Sequence, residues 1–171
     1  MLYLKCTADI QKLVGLRQEN LSMAADDGAL LGNWYVHRFP ISRRKALVFM
    51  SETTFLSFIL LQGKRAVTLD TLPTMLLAGL EQLLVMRGIP QEAVDRAFLH
   101  YQEGRFSKTD SRSALGTLND IVFRYQWMID HAGGLDACDL TDIIMRINET
   151  PHSRLGCDSW DAVQAKLLRL C

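Results

Sequence analysis

The sequence predicts an α+β fold, a small, mainly antiparallel sheet from the N-terminal third packed against helices of the C-terminal two-thirds. Two observations carry that expectation. Between Leu31 and Gln62, apolar β-forming residues run on both sides of the tight basic stretch Pro40-Ile41-Ser42-Arg43-Arg44-Lys45, the pattern of a hairpin. Beyond Asp70 the apolar residues recur instead at spacings of three and four, the period of helices with one buried face. At 171 residues, one domain spanning 1–171 is expected, and it can bury roughly 70% of its unfolded surface without a disulfide or metal staple.

Taken in order, Leu2-Tyr3-Leu4-Lys5-Cys6-Thr7 alternates like a first strand. A short helix is expected over 8–19, with Ile10, Leu13, Val14 and Leu16 on its apolar side, and Asp26-Asp27-Gly28 closes the segment as a loop. In the next strand Trp34, Val36 and Arg38 point one way and Asn33, Tyr35, His37 and Phe39 the other. Both sets are mixed, which predicts one covered face and one partly exposed aromatic face. Pro40 cannot donate to a ladder and marks the strand's end. Leu47-Val48-Phe49-Met50 reads as a central strand, whereas Phe55 to Leu61 fits either a strand or a buried helical turn.

Pro73 in a first turn and Gly88 past an end bracket a helix whose buried stripe is Met75, Leu76, Leu80, Leu83, Leu84 and Met86, slightly weakened by Gly79. A second helix should run from Pro90 to about His100, and Phe106-Ser107-Lys108-Thr109 should extend the sheet. After the polar turn Thr109-Asp110-Ser111-Arg112-Ser113 comes the clearest helix, with Leu115, Leu118, Val122, Tyr125 and Ile129 at helical spacing and Gly133-Gly134 at its end. Asp139 can cap a further helix through about Ile147, and Asp158 or Ser159 a last one through Leu170.

Charge is unevenly placed. Net charge is zero, which argues against a wholesale polyanion binder, yet Arg38, Arg43, Arg44, Lys45, Lys64 and Arg65 face a single acid, Glu52, between residues 38 and 65. The compensating acids gather between Asp130 and Asp161. With 49% hydrophobic and 22% charged residues, disordered and fibrous classes are excluded. Cys6, Cys138, Cys157 and Cys171 are scattered without a C-x-x-C, and Lys5 and Asp9 interrupt what a signal peptide would need as its apolar core. The longest nearly apolar run is far short of a membrane span, so a cytoplasmic protein with reduced thiols and no membrane partner is expected.

Three stretches are distinctive in combination: Leu31-Gly32-Asn33-Trp34 leading to Arg43-Arg44-Lys45; Ser111-Arg112-Ser113-Ala114-Leu115-Gly116-Thr117-Leu118-Asn119-Asp120; and Ile147-Asn148-Glu149-Thr150-Pro151 with Leu155-Gly156. Over nearly the whole chain they resemble the bacterial domain-of-unknown-function family 6933. The resemblance implies a single intact bacterial domain with these stretches as its signature, and it brings no activity, substrate or cofactor with it.

The residues themselves nominate sites. Arg43, Arg44 and Lys45 at a turn can reach phosphate oxygens, and Trp34, Tyr35, His37 and Phe39 just before them could stack on bases; a solubilising turn beside a half-buried strand explains the same composition. Ser111, Arg112 and Ser113 precede a long helix, where hydroxyls and amides either cap the helix or hold an anion at its positive end. Asp120 and Arg124 stand four apart on one helical face, the spacing of an ordinary surface pair, with Asn119 beside them. Asn148 to His152 reads as a helix stop.

No G-x-S-x-G, Walker loop, H-E-x-x-H or Rossmann glycine pattern is present, His37, His100, His131 and His152 are isolated from one another, and neither a cofactor nor a metal site is expected. The leading expectation is a non-enzymatic binding or interaction module whose basic hairpin holds an anionic partner such as nucleic acid. The alternatives are an enzyme acting on a phosphorylated or nucleotide substrate, with Asp110 or Asp120 as acid/base and Arg43, Arg44 and Arg112 as charge clamps, and a protein-partner or homodimer module. All three anticipate that the distant basic segments share one recess.

Overall fold

The computed structural model describes residues 1–168. At its centre is a five-stranded sheet in the order β4-β3-β2-β1-β5, formed by β1 (Leu2–Cys6), β2 (Trp34–Ile41), β3 (Arg44–Ser51), β4 (Ser57–Leu61) and β5 (Gly104–Lys108). The ladders β2–β3 and β3–β4 are antiparallel and account for most of the pairing, with Val36 opposite Phe49 and Val48 opposite Ile59. β1 lies parallel between β2 and β5, placing Leu4 beside both Trp34 and Phe106. The fold is α+β as the sequence predicts, and the ambiguous run before Leu61 is a strand. Its Phe58 and Ile59 serve opposite faces of the sheet, as strand periodicity requires.

Helices cover both sides of this sheet. Leu4, Trp34, Phe49 and Phe58 pack against the side made by α1 (Ala8–Val14), α2 (Thr71–Met86), α3 (Gln91–Leu99) and α6 (Ser159–Leu167). Tyr35, Phe39, Val48 and Ile59 face α4 (Arg112–His131) and α5 (Leu140–Ile147) on the other. The expected partly exposed aromatic face therefore does not exist: α4 lays Leu118, Ile121 and Tyr125 over it. Each fully buried aromatic contributes about 2–3 kcal/mol relative to exposure, so covering this face outweighs leaving it as a binding platform.

Local differences have local causes. The first helix stops at Val14 rather than residue 19, because Gly15 takes a left-handed φ of 70° and Leu16 N–H returns to the Gln11 carbonyl, and a separate 3₁₀ turn covers Gln18–Asn20. On α2, Leu72 replaces Met86 in the buried stripe, and Met86 is half exposed. On α4 the fully buried positions are Ala114, Leu118, Ile121, Tyr125 and Ile129, with Leu115 and Val122 only partly covered. Asp139 and Asp158 accept from the amides of Asp142 and Asp161, the two expected caps. The last helix ends at Leu167, and residues 169 and 170 of its expected extent lie outside the described residues. The stretch Asn148–His152, which the sequence marks as a plain stop, ends in a short strand, β6 (Pro151–His152), that pairs with β7 (Cys157–Asp158) in a small hairpin. Among the described residues, no helix is long and apolar enough to cross a membrane.

Candidate functional site

The register that builds β1 into the sheet also leaves the far end of the β2–β3 hairpin standing clear. β1 pairs with β2 only as far as Val36, while β2 continues to Ile41 against β3 alone on that level. Ser42 closes the turn with φ of 52°, and Arg43, Arg44 and Lys45 are exposed at its tip. Among the described residues none of the three lies in an ion pair; Arg44 reaches only the Gln62 carbonyl, at 3.4 Å. Arg38 differs, because both its Nε and Nη2 donate to the Asp9 carboxylate, at 3.1 and 3.2 Å. That hydrogen-bonded guanidinium holds Asp9 below its ordinary carboxylate range.

The tip leans on the C-terminal half of α4, where Gln126 donates to the Pro40 carbonyl at 2.9 Å. Phe123 and Trp127, one turn apart on α4, are 66% and 52% exposed, and with Ile41 and Ser42 they wall a groove of about 360 Å³. His131 stacks on Trp127 with centroids 3.7 Å apart, and Asp130 closes one side of the groove. Sequence reasoning missed these aromatics because Phe123 and Trp127 interleave with the core positions Ile121 and Tyr125. Their four-residue spacing was the signal available.

The residues nominated from the sequence scatter. Trp34 is fully buried: its indole N–H donates to the Tyr101 hydroxyl at 3.1 Å, its ring meets Phe58 edge-on, and it cannot stack on a base. Gly32 before it holds φ of 69° with Thr53 against the position a Cβ would need, which explains the Leu31-Gly32-Asn33-Trp34 stretch as packing. His37 is half-buried and shares a hydrogen bond between its Nδ1 and Thr7 Oγ1, with burial lowering its pKa. Ser111 caps α4 by accepting from Ala114 N at 3.1 Å, while Arg112, Ser113, Asn119 and Asp120 are exposed. Between Arg112 and Gln126 the helix advances roughly 21 Å at 1.5 Å per residue. The Ser111 turn and the hairpin tip therefore sit at opposite ends of α4, and the single shared recess does not form.

Near the Ser111 turn a different polar cluster appears. Lys5 is almost wholly buried, with Nζ 2.9 and 3.0 Å from the two Asp110 oxygens and 2.7 Å from Glu52. Tyr35 donates its hydroxyl to the same Asp110, at 2.9 Å. Burial alone would lower the Lys5 pKa, but the two carboxylates more than offset it and keep the ammonium charged above its usual range. Burial likewise works to raise Asp110, yet Lys5 and Tyr35 together hold it below its ordinary value. A general base for neutral pH needs the opposite shift, so this geometry makes Asp110 a tie between β1, β2 and α4 rather than a proton carrier.

The third signature stretch is also structural in part. Asn148 accepts from Ser57 N at 2.9 Å and donates to the carbonyls of Ser57 and Ile144, both at 2.8 Å, pinning α5 to the start of edge strand β4. Asp120 lines a cavity with Pro151 and His152 of the β6–β7 hairpin, so the second and third stretches do share one wall. No curated protein matches the chain. A family model described as a domain of unknown function (DUF6933) matches residues 3–160. With the match running from β1 into α6, the chain belongs to the DUF6933 family.

Proposed function

We propose that the protein is a non-enzymatic binding module that holds single-stranded nucleic acid across the hairpin tip and the C-terminal half of α4. What supports this reading is the pairing of exposed cations with exposed aromatics: Arg43, Arg44 and Lys45 at the tip, Phe123 and Trp127 on the groove beneath. Backbone phosphates can be neutralised by the cations while bases stack on the rings, a sequence-tolerant arrangement. Large exposed aromatics beside cations that have no carboxylate partner among the described residues differ from a solubilising surface, where apolar rings would be covered. Because the protein as a whole is neutral, binding is local to this edge and modest.

The test is fluorescence anisotropy with a labelled oligodeoxythymidine, read against salt. Three phosphate contacts on a single strand give a log–log salt slope of about −2. Charge reversal R43E/R44E removes most of that slope and the binding with it. Trp127→Ala keeps the slope but weakens binding by about 1–3 kcal/mol, one base's worth of stacking. Unchanged oligonucleotide retention by R43E/R44E refutes the proposal.

A further inference from the structure

A second cavity, of about 220 Å³, opens between α4 and the β6–β7 hairpin, lined by Phe55, Thr117, Asp120, Arg124, His152 and Arg154 among others. Its chemistry is unlike the groove under the hairpin tip. Asp120 and Arg124 stand at the spacing that ordinarily closes an ion pair on a helix surface. Here no such pair forms: among the described residues neither Arg124 nor Arg154 lies within ion-pair distance of a carboxylate, and neither donates a hydrogen bond. Two guanidinium groups thus reach one cavity with their donors unspent, from elements far apart in sequence.

The rest of the lining is ordered around them. Phe55 is buried and held at φ of 56°, a conformation a bulky residue seldom adopts, and its ring lies 5.1 Å from the His152 imidazole as the cavity floor. Burial and then the adjacent Arg124 charge push the His152 pKa below its ordinary range, so at pH 7 the ring is a neutral hydrogen-bonding group. Asp120, one turn earlier on α4 than Arg124, and Thr117, two turns earlier, supply a carboxylate and a hydroxyl on the same wall.

We propose that this cavity binds a small phosphomonoester carrying hydroxyl groups, with Arg124 and Arg154 on the phosphoryl oxygens and Asp120 and Thr117 on the hydroxyls. Two guanidiniums match a phosphate dianion by paired, charge-assisted hydrogen bonds. Asp120 disfavours an anion beside it and favours a hydroxyl donor, which sets the ligand's orientation. Only a small molecule fits so limited a volume.

Ribose 5-phosphate is the probe, titrated into the full-length protein and followed by amide chemical shifts, with ribose and inorganic phosphate as comparators. Saturable shifts at residues 117–124 and 152–154 are expected at millimolar ribose 5-phosphate, weaker ones with inorganic phosphate, and none with ribose. Arg124→Gln and Arg154→Gln, both at exposed positions, should each weaken binding about tenfold or more, while R43E/R44E leaves it unchanged. Absence of saturable shifts at those residues overturns the proposal, as does undiminished binding by the Arg124→Gln/Arg154→Gln double variant. Inorganic phosphate binding as tightly as ribose 5-phosphate overturns the roles given to Asp120 and Thr117. The hairpin variants separate this result from the nucleic-acid reading, since each surface can fail alone.

Discussion

Replacing Asn148 by alanine should destabilise the protein by about 2–6 kcal/mol, a large loss for one small side chain. Asn148 is 1% exposed and its amide satisfies both backbone groups of Ser57 as well as the Ile144 carbonyl. Ser57 begins the edge strand β4, so no neighbouring strand can take over those two groups. Leaving each buried and unpaired costs about 1–3 kcal/mol; Ile144 O keeps its helical environment, so two orphaned groups set the total. Urea unfolding followed by circular dichroism gives the number directly, provided the slope with denaturant is unchanged. A loss under about 1 kcal/mol at constant slope would mean that water re-satisfies Ser57, and the argument that Asn148 locks α5 to the sheet edge would be refuted.

Gly79→Ala tests packing against propensity. Alanine in a helix interior gains about 1 kcal/mol over glycine, but a Cβ here would lie 2.5 Å from the Phe58 ring in the core. Overpacking costs typically 1–3 kcal/mol, so a net fall in Tm is expected and a rise would contradict the close approach of α2 to β4. Asp110→Asn tests the buried Lys5 cluster through pH. A carboxyl group whose folded pKa is depressed stabilises above its unfolded value, about 4, and loses that contribution as pH falls through the folded one. The variant should be about 1 kcal/mol less stable at pH 7, since the half-exposed carboxylate is screened by water, and the gap to wild type should close in acid. A gap that persists unchanged at pH 3 contradicts an electrostatic role.

The elements were legible because their signals are local. Pro73 and Gly88 bracket α2, Asp139 and Asp158 cap α5 and α6, and the apolar run at Leu47 marks a central strand, each from a few neighbouring residues. The Trp34 reading failed for a non-local reason: alternation along β2 says which residues share a face, but Trp34 is covered by Phe58 and by Tyr101, which follows α3 some sixty-seven residues later. Asp110 shows the same limit, since only β1–β2 pairing brings Lys5 and Tyr35 to it. Arg43, Arg44 and Lys45 were found because turn position and charge are both written in adjacent residues, whereas the cavity of Arg124 and Arg154 required two segments to meet.

The placement of β1 between β2 and β5 bears on biosynthesis. When a ribosome has released only the first sixty residues, the N-terminal strand has a neighbour on one flank alone, and the apolar surface destined for α4 is bare to water. Closure awaits a segment a hundred residues downstream, a long chain excursion that slows folding. Nascent chains halted before α4 would thus carry sticky, unfinished sheet, and completion of the polypeptide is what makes its own first strand secure.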